Sequence, residues 1–538
     1  MSSNNGLADK NYLGQSYSLH SSDLSHSGSL VNKLSADAQL WLQYSNLSRS
    51  SSTNAAPLNS AEGSNSAASI QSGSSQFSSN SNARLIAATA QTPVQVNVDW
   101  GTVQGTTSQL HFGLNAFRGF NPQDATNPAY NSNLAYMNPG IIRYHNAGMM
   151  NDSAINPDGL IDVANRRWDT TKITQALSAS LGAFTNQPLR LINIPDWPAW
   201  MDANRDGFLD TNQFDNYAAF CAELVKIVNR DNQFGVTHWE VTNEKDGQYF
   251  TQFRNNSGWG PLKDPSKPDR LDELSTIYNK CATAMHQMDP TIKIGGPALS
   301  RPDLQPFYSR FINATTQNLD FFSFHAYASG SRDTPDTNVY DGTRSIGRYT
   351  KSIVDTLNQA SPNRHIPVFL DEYNISWTWQ TRDARMAGNK GTVFDALAMV
   401  EAINNGADAT LAWNEKDEIY GKTDSRNALR PSAHMFHLFN QLLVGNRVAT
   451  TSSDNQSVVA FAVSNPTSAQ HSYLLINRSN QVQQVQTTFQ GWTPTGSALA
   501  RYEVSANGYS QKTTDWATVS SNSFQLPDNS VTLLSFAY

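Results

Sequence analysis

The chain has 538 residues, enough for two or three domains and a large buried core. Only 15% of its residues are charged, the formal net charge is −7 and no Lys/Arg block occurs. That excludes a nucleic-acid partner, because neutralising phosphates needs a concentrated basic surface.

No run of 18 apolar residues occurs, so no transmembrane helix and no membrane partner are expected. The opening MSSNNGLADKNYLGQSYSLH lacks the apolar stretch of a secretory signal. The expected location is the cell surface or exterior by a non-standard route, with the cytoplasm as the alternative.

Residues 1–90 contain 35 Ser and Asn and almost no apolar periodicity, so they read as a disordered tail. One amphipathic helix is conceivable around Leu30–Leu47. From residue 93 the pattern changes. VQVNVDW (94–100) alternates like a strand. Eight short apolar runs follow, at 109–115, 140–146, 189–195, 237–244, 292–298, 320–327, 367–373 and 409–415. Helical stretches separate them. Tyr217, Phe220, Cys221, Leu224, Val225 and Val228 share one face, as do Leu274, Ile277, Tyr278, Cys281, Met285 and Met288. Further helices are expected at 171–184, 344–360 and 392–405.

Eight buried strands with helical crossovers predict an α/β chain built on a (β/α)8 TIM barrel over residues 91–445. After 445 the pattern turns to short strands with turn residues between them. A C-terminal antiparallel β-sandwich is expected over 446–538. The segment 93–108 alternates in the same way and could pair with it. The two cysteines, Cys221 and Cys281, lie on helical stripes and read as buried free thiols.

Barrel active sites lie at the C-terminal ends of the strands. The fourth run ends in Asn243-Glu244 and the seventh in Asp371-Glu372. The sixth ends in His325-Ala326-Tyr327, the second in Arg143-Tyr144-His145 and the eighth in Trp413-Asn414-Glu415. Glycosidic cleavage needs two carboxyls flanking one bond, one of them protonated. Strands four and seven lie opposite each other across the mouth, so Glu244 and Glu372 could meet there. Either glutamate taken alone could be an ordinary loop carboxylate.

Taken together, WEVTNE, HAY, LDEY and the Trp of the eighth strand resemble the clan A retaining glycosidases over roughly 93–445. The trailing LPDNSVTLLSF is similar to the sandwiches of families 39, 30, 51 and 79, family 39 foremost. After the Asn-Glu pair the sequence continues KDGQYF and departs from the proline common there. The resemblance implies Glu244 as acid/base and Glu372 as nucleophile. It implies Asn243 on the sugar 2-hydroxyl, Tyr327 and Arg143 orienting Glu372, His325 positioning substrate or a catalytic carboxyl, and Trp413 beneath the sugar.

Trp197, Trp200, Trp259, Trp377 and Trp379 follow strands three, four and seven. They are cleft-wall aromatics or packing residues, since rings suit both tasks. The expected activity is retaining hydrolysis of a β-linked oligo- or polysaccharide without an organic cofactor. A transglycosylase or a non-catalytic carbohydrate-binding barrel are the alternatives.

A second motif, Asp202-Ala-Asn204-Arg-Asp206-Gly-Phe-Leu-Asp210, has the D-x-N-x-D-G spacing of a calcium loop. Its twelfth position is Gln213 rather than Glu. It predicts either a structural calcium site or an ion-free Asx-turn loop.

Overall fold

The computed structural model describes residues 92–181, 188–250, 270–494, 499–514 and 524–538, with 254–255, 258–259 and 516 besides. The Ser/Asn-rich segment 1–90, with its expected helix near 30–47, lies outside them.

The first described strand is β1, Val94–Thr107. Eight strands then form a closed barrel: β2 (Gly113–Asn115), β3 (Ile141–Tyr144), β4 (Leu189–Ile194), β5 (His238–Val241), β6 (Lys293–Leu299), β7 (Phe321–Ser329), β8 (Val368–Ser376) and β9 (Ala409–Ala412). Every neighbouring pair is parallel. The main helices outside are α1 (Pro128–Met137), α2 (Thr170–Leu181), α3 (Phe214–Val225), α4 (Leu271–Met288), α5 (Gln305–Thr315), α6 (Asp336–Ala360), α7 (Asn389–Asn404) and α8 (Pro431–Leu442). The stripe of α3 packs on that of α4, burying Cys221 and Cys281 as free thiols.

The barrel interior is layered. Ile141, Leu191, Phe321, Phe369, Ala409 and Leu411 form one apolar cluster at its floor. Phe321 and Phe369 stack there at 4.6 Å. Gly295 is required beside them, since a Cβ there would meet the Phe321 ring at 2.4 Å. Two residues further along these strands and their neighbours stand Asn115, Arg143, Asn193, Glu240, Ser323 and Asp371, all fully buried. A strand turns every second side chain to the same face. The second layer of the interior is therefore polar, and it lies directly beneath the mouth.

The strands after the barrel are β10 (Gly445–Ser452), β11 (Val458–Asn465), β12 (Gln470–Asn477), β13 (Gln483–Gln490), β14 (Leu499–Ser505), β15 (Gly508–Thr514), β16 (Phe524–Leu526) and β17 (Ser530–Ala537). With β1 they make one nine-stranded sheet in the order β15-β14-β17-β12-β11-β10-β1-β13-β16. It curls around its own core of Val96, Val98, Tyr473, Leu475, Val485 and Leu534. The pairing is antiparallel apart from β1 with β13, which run parallel. Both faces of the central strands are buried. Tyr473 and Leu475 face the sheet's own core, while Leu474, Ile476 and Leu533 join the barrel's core beside α7.

Candidate active site

Strand β5 ends in a backbone that could not continue as a strand. Thr242 and Glu244 have φ of 67° and 55°. Left-handed conformations cost a non-glycine residue roughly 1–3 kcal/mol and persist only where the surroundings fix them. Here three hydrogen bonds do so. Thr242 N–H donates to Ile194 O (2.9 Å), Asn243 N–H to Pro195 O (3.0 Å) and Glu244 N–H to Ala298 O (2.9 Å). The chain is thus tied to the ends of both neighbouring strands, with Glu244 at the rim.

Opposite, β8 carries a bulge. Phe324 pairs with Leu370 and His325 with Glu372, so Asp371 is an extra residue. A bulge sets two residues against one and re-aims side chains. It allows the adjacent Asp371 and Glu372 both to reach the interior, where both contact Arg143 and His325.

Arg143, on β3, organises the centre. It donates to Glu372 Oε1 at 2.7 Å, Glu240 Oε2 at 2.8 Å, Asn243 Oδ1 at 2.7 Å and Asn115 Oδ1 at 3.0 Å. Burial opposes its charge, but Glu240, Asp371 and Glu372 more than offset this and raise its pKa. Tyr327 O–H donates to the other oxygen, Glu372 Oε2, at 2.7 Å. Burial and the charge of Glu372 push the phenol far up, so it remains a donor. Glu372 is therefore gripped at both oxygens and is 5% exposed.

His325 Nδ1 lies 2.8 Å from Glu244 Oε1 and 3.6 Å from Glu372 Oε2. Oxygens of the two glutamates and this nitrogen all lie within 4.8 Å of one another. Burial holds His325 below the usual imidazole pKa. The Glu244 side chain is 39% exposed, while Glu372 lies deeper. One carboxyl thus meets solvent and the other sits in a hydrogen-bonded socket beneath the same opening.

The structure brings Glu244, Glu372, Asn243, Arg143, His325 and Tyr327 together at one mouth. Trp413 ends the eighth strand half-buried, 5.4 Å from the Phe117 ring and 5.5 Å from that of His145. Trp377 is 42% exposed at the end of β8. Trp197 is a correction. It is 6% exposed, edged by Tyr217 and Tyr249 at 6.0 Å, with the Lys245 ammonium 4.7 Å from its ring. Its ring is built into the loop and offers no open stacking face. The side chain of Trp259 lies outside the described residues.

Sequence reasoning passed over the polar layer. The Asn115 side-chain amide donates to Asp371 O at 2.7 Å, and that of Asn193 to Glu240 Oε2 at 2.7 Å. The signal was present as a polar residue two positions after an apolar one on strand after strand. Asp246 was missed too. Fully buried just beyond Glu244, it accepts from Ser300 N–H, Ser300 O–H and Arg301 N–H, and burial with the charge of Glu244 raises its pKa to about 6. It ties the Glu244 loop to the loop after β6. Tyr420 lies close enough that the charges of Glu372 and Glu244 add to the effect of burial on its phenol.

In the 202–210 loop every candidate ligand accepts from the loop's own backbone. Asp202 takes Asp206 and Gly207 N–H (3.2 and 2.9 Å), Asn204 takes Asp206 N–H (3.1 Å), Asp206 takes Phe208 N–H (2.9 Å) and Asp210 takes Ala203 N–H (3.1 Å). Arg270 also lies 3.8 Å from Asp206. These are nested Asx turns. Among the described residues, the only three His, Cys, Asp or Glu side chains whose donor atoms converge within 4.8 Å are Glu244, His325 and Glu372.

An eight-stranded barrel whose mouth holds two facing carboxyls over a buried arginine defines the class of glycoside hydrolases. Residues 262–488 match the model of glycosyl hydrolases family 39; the chain is a glycoside hydrolase and resembles that family over this segment. Solved structures of similar fold include a glucosidase from Croceicoccus marinus (TM-score 0.59, 14% identity, covering 83% of this chain and 99% of that one). A monomeric β-xylosidase from Caulobacter crescentus CB15 gives a TM-score of 0.57 at 13% identity, covering 82% and 99%. The GH39 enzyme from Xanthomonas axonopodis pv. citri gives 0.53 at 14%, covering 83% and 97%. These likenesses speak to the fold. No curated protein matches the sequence.

Proposed function

We propose that the protein hydrolyses a β-linked glycoside or polysaccharide with net retention, by two displacements through a covalent glycosyl-enzyme. The observation that carries this reading is the gap between the glutamates, within 4.8 Å. Retaining enzymes hold their carboxyls about 5–5.5 Å apart, whereas inverting ones leave about 6.5–9.5 Å for a water.

In the first step Glu372 attacks the anomeric carbon while Glu244 gives its proton to the departing oxygen. The C1–O bond to the leaving group breaks and a C1–O bond to Glu372 forms. In the second step Glu244 takes a proton from water, whose oxygen displaces Glu372. Arg143 and Tyr327 orient the attacking carboxylate, and the negative charge passes from Glu372 to Glu244 beside His325. Asn243, held by Arg143, is placed to meet the sugar 2-hydroxyl. Trp413 and Trp377 are the aromatic surfaces for the sugar. The glucosidase and β-xylosidase neighbours support glucosides and xylosides as first substrates. A polysaccharide would meet the enzyme outside the cell, which is where we place its action.

The test is a panel of aryl β-glycosides and polysaccharides followed by proton NMR of the first-formed sugar. A β-anomer as initial product is expected. An α-anomer would overturn the double displacement, and cleavage of nothing in the panel would favour a binding role.

A further inference from the structure

Beneath the two glutamates lies a second carboxyl pair with no task in the reaction above. Glu240 on β5 and Asp371 on β8 are fully buried and face the same guanidinium, Arg143 lying 2.7 Å from Glu240 Oε2 and 3.3 Å from Asp371 Oδ2. Glu240 Oε2 accepts from Arg143 (2.8 Å) and Asn193 (2.7 Å), whereas Glu240 Oε1 and both Asp371 oxygens have no protein donor. Ionised carboxylates only accept, and three buried oxygens without a donor are costly, so a proton held between the two acids relieves them. Arg143 is a single cation facing Glu240, Asp371 and Glu372. Like charges so close do not all ionise. The donors on Glu240 place the proton on Asp371. Burial pushes Glu240 up, but Arg143 more than offsets this and brings it down, while burial and the charge of Glu240 drive Asp371 far up.

His325 connects this pair to the mouth. Its Nε2 and Asp371 Oδ1, both buried without a hydrogen-bond partner, lie 3.5 Å apart, and its Nδ1 lies 2.8 Å from Glu244 Oε1. A neutral imidazole has one N–H and one lone pair, and what one nitrogen meets decides the state of the other. With the Asp371 proton engaged by Glu240, the remaining Asp371 oxygen is an acceptor. Nε2 then carries the hydrogen and Nδ1 accepts the proton of Glu244. The charged and titratable groups acting on this ring are Arg143 from β3, His145 just after it, Glu240 from β5, Glu244 and Asp246 from the loop after β5, and Asp371 and Glu372 from β8.

We propose that Asp371, as an acid donating to Glu240, is a positioning residue that fixes His325 as its Nε2–H tautomer and so holds the proton of Glu244 ready for the leaving group. The second half of this statement rests on Glu244 being the acid/base of a glycosidase; the first half does not.

The experiment has two readouts on the full chain. Nitrogen-15 NMR of histidine-labelled protein is expected to show His325 neutral with hydrogen on Nε2 between pH 5 and 7. It is expected to stay so in Asp371→Asn, whose amide donates to Glu240 and whose carbonyl accepts from Nε2. A mixture of tautomers is expected in Asp371→Ala. An Nδ1–H tautomer in the unaltered protein overturns the proposal, and so does a spectrum that Ala and Asn leave equally unchanged.

The second readout is the ratio of rates on a dinitrophenyl and a methylumbelliferyl glycoside of the same sugar, since only the poorer leaving group needs the proton. Asp371→Ala is expected to raise that ratio about tenfold, part of the 10²–10⁴ that acid catalysis supplies. Asp371→Asn is expected to return it toward the unaltered value. Equal losses on both substrates overturn the link to Glu244. An unaltered protein that cleaves neither glycoside refutes the hydrolytic reading, and the tautomer measurement then still decides the role of Asp371.

Discussion

Arg143 Nη1 stands 2.7 Å from Glu372 Oε1, with the guanidinium wholly buried. The same guanidinium also answers Glu240 and Asp371, so its removal strands several acids at once. Breaking a buried ion pair from one side costs about 3–5 kcal/mol. Arg143→Met is expected to lose stability on that scale, read by urea denaturation, and to lose turnover. Arg143→Lys keeps a charge but not the planar fork. It should fold better than Met and still fall at least about 100-fold in kcat, given its ties to both Glu372 and Asn243.

Glu372→Gln is expected to abolish turnover while the melting temperature stays within a few degrees, because Arg143 keeps Glu240 as its counterion. Calorimetry with a glycoside assay checks both. Near-native activity would remove Glu372 from the chemistry.

Glu244→Ala should lose about 10²–10⁴ in rate on substrates with poor leaving groups. Azide, small enough for the vacated volume and needing no base, is expected to restore rate and give a β-glycosyl azide. An α-azide identified by NMR would contradict the assigned faces.

Tyr327→Phe removes one of the two donors to Glu372. A hydrogen bond to a charged group contributes about 1.5–3 kcal/mol, so kcat/KM is expected to drop roughly 10- to 100-fold with little change in folding.

Glu415 predicts a pH dependence of stability. It is 1% exposed, and burial lifts its pKa to about 7 despite donors from Phe117, Arg118 and Tyr130. In the unfolded chain a glutamate titrates near 4.3, within the usual range. Between these values the folded state binds more protons, so stability falls as pH rises from about 4.5 to about 7. Asp246, raised to about 6, acts in the same direction. Melting temperatures measured from pH 4.5 to 8 should decline across that window, and less steeply in Glu415→Gln. For the 202–210 loop, whose oxygens already accept backbone N–H groups, calcium and chelator should leave the same curve unmoved.

The barrel was legible because its strands are short apolar runs and its helices carry 3.6-residue stripes. Glu244, Arg143, His325, Tyr327 and Glu372 were legible because barrel chemistry sits at strand ends, and these residues occupy them. Asp371 and Glu240 were not read as a pair. The bulge that lets Asp371 and Glu372 share one side of β8 leaves no mark in composition. Trp197 could not be decided between its two readings for the opposite reason. A tryptophan after a strand looks the same whether its face is open or edged by Tyr217 and Tyr249. The single curled sheet was also beyond reach, because pairing β1 with β13 joins residues nearly 400 positions apart.

That pairing determines how the molecule can be divided. β1 precedes the barrel, yet it lies between β10 and β13, so one strand from before the barrel closes a layer supplied by the segment after it. Cutting the chain near residue 445 would strip β1 of both neighbours and leave Val94, Val96 and Val98 on an unpaired edge, a template for aggregation. The catalytic barrel and its trailing sheet are therefore one inheritance unit: neither can be lent to another protein without the other.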